Sequence, residues 1–223
     1  MLKKIFILLR IARRLAISDA VEIISRIHRP PLIVKVLLNI FAFSFSKKND
    51  QSNKSDEDKL CESIQGMGTT FIKLGQFLAT RPDIIGEEVA KKLEKLQDKL
   101  PAFSTAQAKE ILEKEIGQKS YKNIISIEGP VAAASIAQVH FAKIKINGSE
   151  KELAIKILRP NIYKLVNDEL DALMFFAYIV ENFFKKTKRL KLVEVIYLLK
   201  EITNVEMDLR FEAAAANELY ENT

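Results

Sequence analysis

The chain has 223 residues, 48% of them hydrophobic and 29% charged, with a formal net charge of +6, seven glycines, six prolines and one cysteine. This composition excludes collagen-like, mucin-like and disordered classes, supplies enough length for a self-supporting core, and leaves Cys61 without an internal disulfide partner. A basic total raises nucleic acid first, yet residues 1–48 hold ten Lys/Arg against Asp19 and Glu22, so the rest of the chain is close to neutral.

Residues 2–16 predict a basic amphipathic helix: Leu2, Ile5, Leu8, Leu9, Ala12, Leu15 and Ala16 fall on one arc of a 100° wheel, with Lys3, Arg10, Arg13 and Arg14 opposite. Arg10 interrupts the apolar run and no small-residue cleavage site follows, which argues against a secretory signal; an organellar transit segment stays open. After Pro30-Pro31, the apolar stretch from Leu32 to Ser46 is too short to span a bilayer as a helix and reads as an interfacial or packed segment. The run from Lys47 to Lys59 has no apolar residue and reads as a solvated linker. The expected organisation is therefore a membrane-associating segment over 1–46, a linker over 47–59, a helical region over 60–120 and a mixed region over 121–223.

Helices are expected over 62–80 and over 87–100, the latter from Val89, Leu93, Leu96 and Leu100. Ser104 with Gln107 forms a capping box for a third helix that Gly117 closes. Val139, Phe141, Ile144 and Ile146, then Asn147-Gly148, then Leu153, Ile155 and Ile157 predict an antiparallel hairpin that Arg159-Pro160 ends. The stretch from Asn161 to Thr223 contains neither glycine nor proline and predicts helices over 161–187, 190–203 and 204–221. Helices, a small antiparallel sheet and more helices make the fold class α+β and mostly helical.

The chemistry concentrates at the hairpin. A loop entering a strand, a turn, and a second strand carrying Ala154-Ile155-Lys156 is the layout with which a protein kinase covers a nucleotide, the loop over the phosphates and the lysine paired with them. Alanines and a serine, Ala132 to Ser135, stand where glycines would let the backbone approach phosphate, so an altered nucleotide pose or selectivity is expected. On these residues alone, a small-residue strand entry with an ordinary surface lysine competes equally.

Two further segments decide between them. Lys73-Leu-Gly75-Gln76, continued by Lys95-Leu-Gln97-Asp98-Lys99-Leu100-Pro101, and Glu206-Met-Asp208 followed by Glu212, together with the loop from Val131 to His140, resemble the UbiB family of atypical kinase-like proteins linked to ubiquinone biosynthesis. The resemblance implies a protein-kinase-like N-terminal lobe behind an N-terminal helical extension. It implies adenine nucleotide, ATP or ADP, held by Val131, Ala132, Ala133, Ala134, Ser135, Ile136, Ala137, Gln138 and Val139 with Lys156, and a Lys156–Glu212 ion pair. It further implies that Lys73 and Gln76 lie on the extension and that Lys73 meets Glu206 and Asp208. Spacing adds that Lys73 and Gln76 share a helix face while Glu206 and Asp208 diverge. His28, His140 and Cys61 have no metal-ligand spacing, and His140 is expected to be structural.

The stretch that follows Lys156, from Ile157 to Thr223, has no histidine, no glycine and no proline after Pro160, so neither an H-R-D catalytic loop nor a D-F-G metal motif occurs in it. The expectation is an N-terminal portion lacking the C-terminal lobe, inactive alone, with Mg²⁺ bound only where that lobe is supplied. Expected partners are adenine nucleotide, an anionic membrane surface at the cytoplasmic face of a bacterial inner membrane, and a separate chain carrying the missing lobe or quinone-synthesis proteins. Nucleic acid is not expected, because no stacking platform accompanies the basic residues. The alternative is a non-catalytic, membrane-associated helical module or a decayed gene fragment with a vestigial nucleotide site.

Overall fold

A computed structural model describes residues 2–17, 55–96, 98, 100–183 and 185–222. The apolar segment after Pro30-Pro31, His28 and most of the polar linker lie outside the described residues. Two compact units form, each from two stretches: Met1–Gln97 with Leu165–Thr203, and Asp98–Lys164 with Asn204–Thr223.

The first unit opens with helix α1 (Leu2–Ile17). It does not bury the arc that the wheel predicts: Ile7 and Ile11 are buried, whereas Leu2, Ile5, Phe6 and Leu9 are exposed. The reason is electrostatic. Helix α7 (Ile162–Phe183) presents Asp168 and Glu169, Lys3 pairs with Asp168 at 2.7 Å and Arg10 with Glu169 at 2.8 Å, and Arg14 lies 3.8 Å from Glu169 while donating to the Met67 carbonyl at 2.8 Å. Glu169 is only 2% exposed, and a carboxylate that dry requires cationic partners. Three of the N-terminal cations, Lys3, Arg10 and Arg14, thus pair with groups inside the unit.

Helix α2 (Asp56–Met67) starts on Ser55, whose hydroxyl accepts the Asp58 N–H. The single helix expected over 62–80 is broken by Gly68 at φ +98°, a value that side chains avoid, and α3 (Thr69–Ala79) begins there. After the single turn α4 (Pro82–Ile85), α5 (Glu87–Leu93) ends earlier than its apolar spacing suggests. Its chain closes with a tight turn, Leu96 N–H to Leu93 O at 2.9 Å, and Leu96 continues the apolar series without a helix. Val89, Leu93, Leu96, Leu60, Ile64 and Phe71 pack into one core with Ile7, Ile11 and Ala172. The unit is completed by most of α7 and of α8 (Leu192–Met207), joined by a Lys200–Asp171 pair at 2.6 Å. Between α7 and α8, Lys185–Leu190 forms 3₁₀ turns, where sequence predicted continued α-helix as far as 187.

In the second unit, Ser104 and Gln107 form the expected reciprocal cap of α6 (Thr105–Tyr121), which kinks at Gly117. A three-stranded antiparallel sheet follows in the order β1 (Ile124–Ala133), β2 (Ala137–Ile146), β3 (Ser149–Leu158). The β2–β3 hairpin turns on Asn147-Gly148, both at positive φ, with Ile146 opposite Ser149. Strand β1 was not foreseen, because Gly129-Pro130 interrupts it and its register shifts on both sides of Pro130. An edge strand tolerates both features. The loop proper is therefore only Ala134 to Ile136. Ala108 and Leu112 of α6 pack on Ile127, Ala142 and Ile157, leaving the opposite face of the sheet to Val139, Phe141, Ala154 and Lys156. Helix α8 runs on to Met207, past its predicted boundary at 203, and stops where Asp208 caps α9 (Leu209–Glu221). Phe211, Leu219 and Tyr220 on α9 remain exposed.

Candidate functional site

Strand β3 and helix α9 bring Lys156 and Glu212 together. Lys156 Nζ donates to Glu212 Oε2 at 2.5 Å, across 56 residues of sequence, with the lysine about one-third exposed. Lys156 is the cross-strand partner of Val139 and lies two residues beyond Ala154 on the same face. Beside Ala154 a shallow pocket of about 240 Å³ is lined by Glu128, Phe141, Ala142, Lys143, Glu152 and Leu153. Sites that enclose a drug-sized ligand usually exceed about 300 Å³.

The nine loop residues divide by structure. Val131, Ala132 and Ala133 finish β1, Ala134, Ser135 and Ile136 make the turn, and Ala137, Gln138 and Val139 begin β2. The turn is tied down on every side. Ala134 N–H donates to Ala137 O at 2.8 Å, and Arg159 N–H to Ile136 O at 2.8 Å. The Arg159 guanidinium donates twice to Ala134 O, at 2.9 and 2.7 Å, and also to Leu100 O and Pro101 O. Partial burial lowers the Arg159 pKa, opposed by the nearby Asp98 charge. Ser135 N–H donates to Asp98 Oδ1 at 3.2 Å.

Gln138 is buried, accepts the Phe103 N–H and donates to Phe103 O. Its amide nitrogen also lies 2.8 Å from His140 Nε2, so that nitrogen is the acceptor and His140 Nδ1–H donates to Glu128 O at 2.8 Å. Both Gln138 donors and both His140 nitrogens are thereby used inside the unit, and His140 has the structural role that sequence suggested.

Lys73 and Gln76 are half-buried on α3, within the first unit. The glycine between them has a packing reason: a Cβ on Gly75 would lie 2.6 Å from Leu96 Cδ2 and 3.4 Å from Ile64 Cγ2. Glu206 is exposed near the end of α8 and Asp208 sits in the break before α9, so the two diverge, both in the second unit. Asp208 accepts the Arg210 N–H and receives its guanidinium at 2.8 and 2.5 Å, and these side-chain bonds hold its carboxyl below its ordinary pKa. Sequence reasoning missed Arg159, Arg210 and the specific part of Asp98. Asp98 was visible only as one letter of the segment Lys95 to Pro101, and Arg159 only as a strand end.

Among the described residues no cluster of His, Cys, Asp and Glu could hold a metal ion, and no helix is long and apolar enough to cross a membrane.

The family of ABC1 atypical kinase-like domains matches residues 95–223, which take in the whole second unit. A probable protein kinase UbiB of Vibrio cholerae is 35% identical over 196 residues, covering 87% of this chain and 34% of its own length. That of Histophilus somni is 40% identical over 181 residues, covering 80% of this chain and 33% of its own, and that of Shewanella frigidimarina is 34% identical over 197 residues. The chain thus spans about one-third of the length of the curated relatives it matches.

Proposed function

Because the chain belongs to the ABC1 atypical kinase-like family, we propose that its second unit is the nucleotide-covering part of an atypical kinase or ATPase of UbiB type, serving quinone-lipid synthesis at a membrane. In this reading the residues from Val131 to Val139 lie over the phosphates of ATP or ADP, and Lys156, held in place by Glu212, neutralises phosphate charge. The observation that carries it is the Lys156–Glu212 pair, because it joins a strand to a distant helix in the arrangement that positions a kinase lysine. An exposed pair of this kind adds only about 0–1 kcal/mol to stability, so fold maintenance is a weak reason for it.

The lysine half of the site fits a nucleotide as it stands, whereas the amides of Ala134 and Ser135 are already bonded to protein acceptors. Magnesium would be held only with groups from the remainder of a UbiB-type protein, since the metal-binding and catalytic-loop motifs do not occur after Lys156. The chain alone is accordingly proposed to bind adenine nucleotide without turning it over. Thermal unfolding of the whole chain with millimolar ADP tests the reading: a rise in Tm that Lys156→Ala abolishes supports it, and an unchanged Tm in both opposes it.

A second reading, a membrane-associated helical module whose nucleotide site is vestigial, is favoured by one observation, the exposed row of Leu2, Ile5, Phe6 and Leu9 on α1. It predicts cosedimentation with anionic vesicles that Lys156→Ala leaves intact, and no response to ADP.

A further inference from the structure

Backbone N–H groups at a turn bind phosphate by donating their single hydrogen. In the turn Ala134–Ile136 two of these hydrogens are already given away, that of Ala134 to Ala137 O at 2.8 Å and that of Ser135 to the Asp98 carboxylate at 3.2 Å. The first bond belongs to the turn itself. The second comes from outside it, from a charged group with the same acceptor chemistry as a phosphate oxygen.

Asp98 is well placed to stay there. Residues 100–103 are stitched to the sheet by side chains at both ends: Arg159 grips Leu100 O and Pro101 O while also gripping Ala134 O, and Gln138 pairs with both backbone groups of Phe103. The Arg159 guanidinium also approaches the Phe103 ring, 5.9 Å from its centroid. Ser135 is fully buried beneath this arrangement.

Resting on the nucleotide reading above, the geometry points to Asp98 as the internal occupant of the loop's anion position: a nucleotide phosphate engages the Ser135 amide only by displacing the Asp98 carboxylate, which therefore sets the affinity of the site. Asp98 is in this sense a regulatory competitor carried by the segment that precedes α6, and its release is what a fully engaged nucleotide requires.

Asn at position 98 separates competition from mere support, because it keeps an oxygen acceptor in place and removes the charge. The whole chain and its Asp98→Asn, Asp98→Ala and Glu110→Gln variants are titrated with ADP and with inorganic pyrophosphate, by calorimetry and by the ¹H–¹⁵N resonance of Ser135. Replacing a charge-assisted competing hydrogen bond by a neutral one should raise affinity about fivefold. Asp98→Asn should show that gain with an unchanged Tm and a Ser135 resonance that moves at lower ligand concentration. Glu110→Gln, which removes equal charge from the exposed face of α6, should leave affinity at the starting value. Equal affinity in the starting chain and both Asp98 variants overturns the inference and leaves the nucleotide reading standing. An equal gain in Glu110→Gln overturns it as a general charge effect. Absence of ADP binding in every chain overturns the nucleotide reading and this inference with it.

Discussion

The docking of α1 rests on a buried carboxylate, and its removal gives a sharp prediction. Glu169 is 2% exposed and is met by Arg10 at 2.8 Å and by Arg14 at 3.8 Å. Taking away the partners of a buried charge costs about 3–5 kcal/mol, because the charge left behind is unsolvated. Arg10→Ala should cost about 2 kcal/mol, since Arg14 still faces the carboxylate, and Arg10→Ala/Arg14→Ala should approach the full cost of about 3–5 kcal/mol. At about 2–4 °C per kcal/mol for a chain of this size, the single variant lowers Tm by roughly 4–8 °C and the double by about twice that. Circular dichroism melts at fixed protein and salt concentration give the values. Adding Glu169→Gln to the double variant should recover most of the loss, because a neutral amide is far less costly to bury than a carboxylate. A double variant that melts with the starting protein, or a Glu169→Gln change that recovers nothing, would refute the reasoning.

Gly75→Ala should be destabilising despite alanine's better helix propensity of about 1 kcal/mol, because its Cβ would sit 2.6 Å from Leu96 Cδ2; overpacking of about 1–3 kcal/mol dominates. In a Leu96→Ala background the same change should become neutral or stabilising, as a double-mutant cycle in Tm would show. For Asp208, the sign follows from its lowered pKa, due first to the Arg210 hydrogen bonds. Its contribution to the start of α9 is present above the ordinary carboxylate value of 3.8 and is lost as pH falls through the lower folded-state value. Amide exchange at the first turn of α9 should therefore accelerate below about pH 4, and Asp208→Asn should flatten that dependence; equal acceleration in both would remove Asp208 from the explanation.

What sequence made legible were the features governed by local rules. The Ser104–Gln107 capping box and the Asn147-Gly148 hairpin follow from residue types at fixed offsets and formed where expected, and the absence of glycine and proline gave the helical character of the C-terminal third, though not its helix boundaries. Features that depend on distant partners did not show. The buried side of α1 was set by Asp168 and Glu169, which lie far from it along the chain, and their pull overrode the apolar arc. Strand β1 lacks alternation and contains Gly129-Pro130, so only pairing with β2 identifies it. At the site, Lys156 and Glu212 were legible because a motif places them. Asp98 and Arg159 act through backbone atoms of other segments, and side chains that serve backbone leave no spacing signature.

Whether the Lys156–Glu212 pair belongs to a nucleotide site is tested most directly by calorimetric titration with ADP. The whole chain is compared with Lys156→Ala, Glu212→Ala and the exchanged pair Lys156→Glu/Glu212→Lys. Loss of a charge-assisted contact to phosphate should weaken ADP by about tenfold or more in Lys156→Ala, and by less in Glu212→Ala. The exchanged pair should keep its ion pair and its Tm while failing to recover affinity, because the positive charge has left the strand. Full ADP affinity in Lys156→Ala, or its recovery in the exchanged pair, would contradict the assignment of this pair to a nucleotide site.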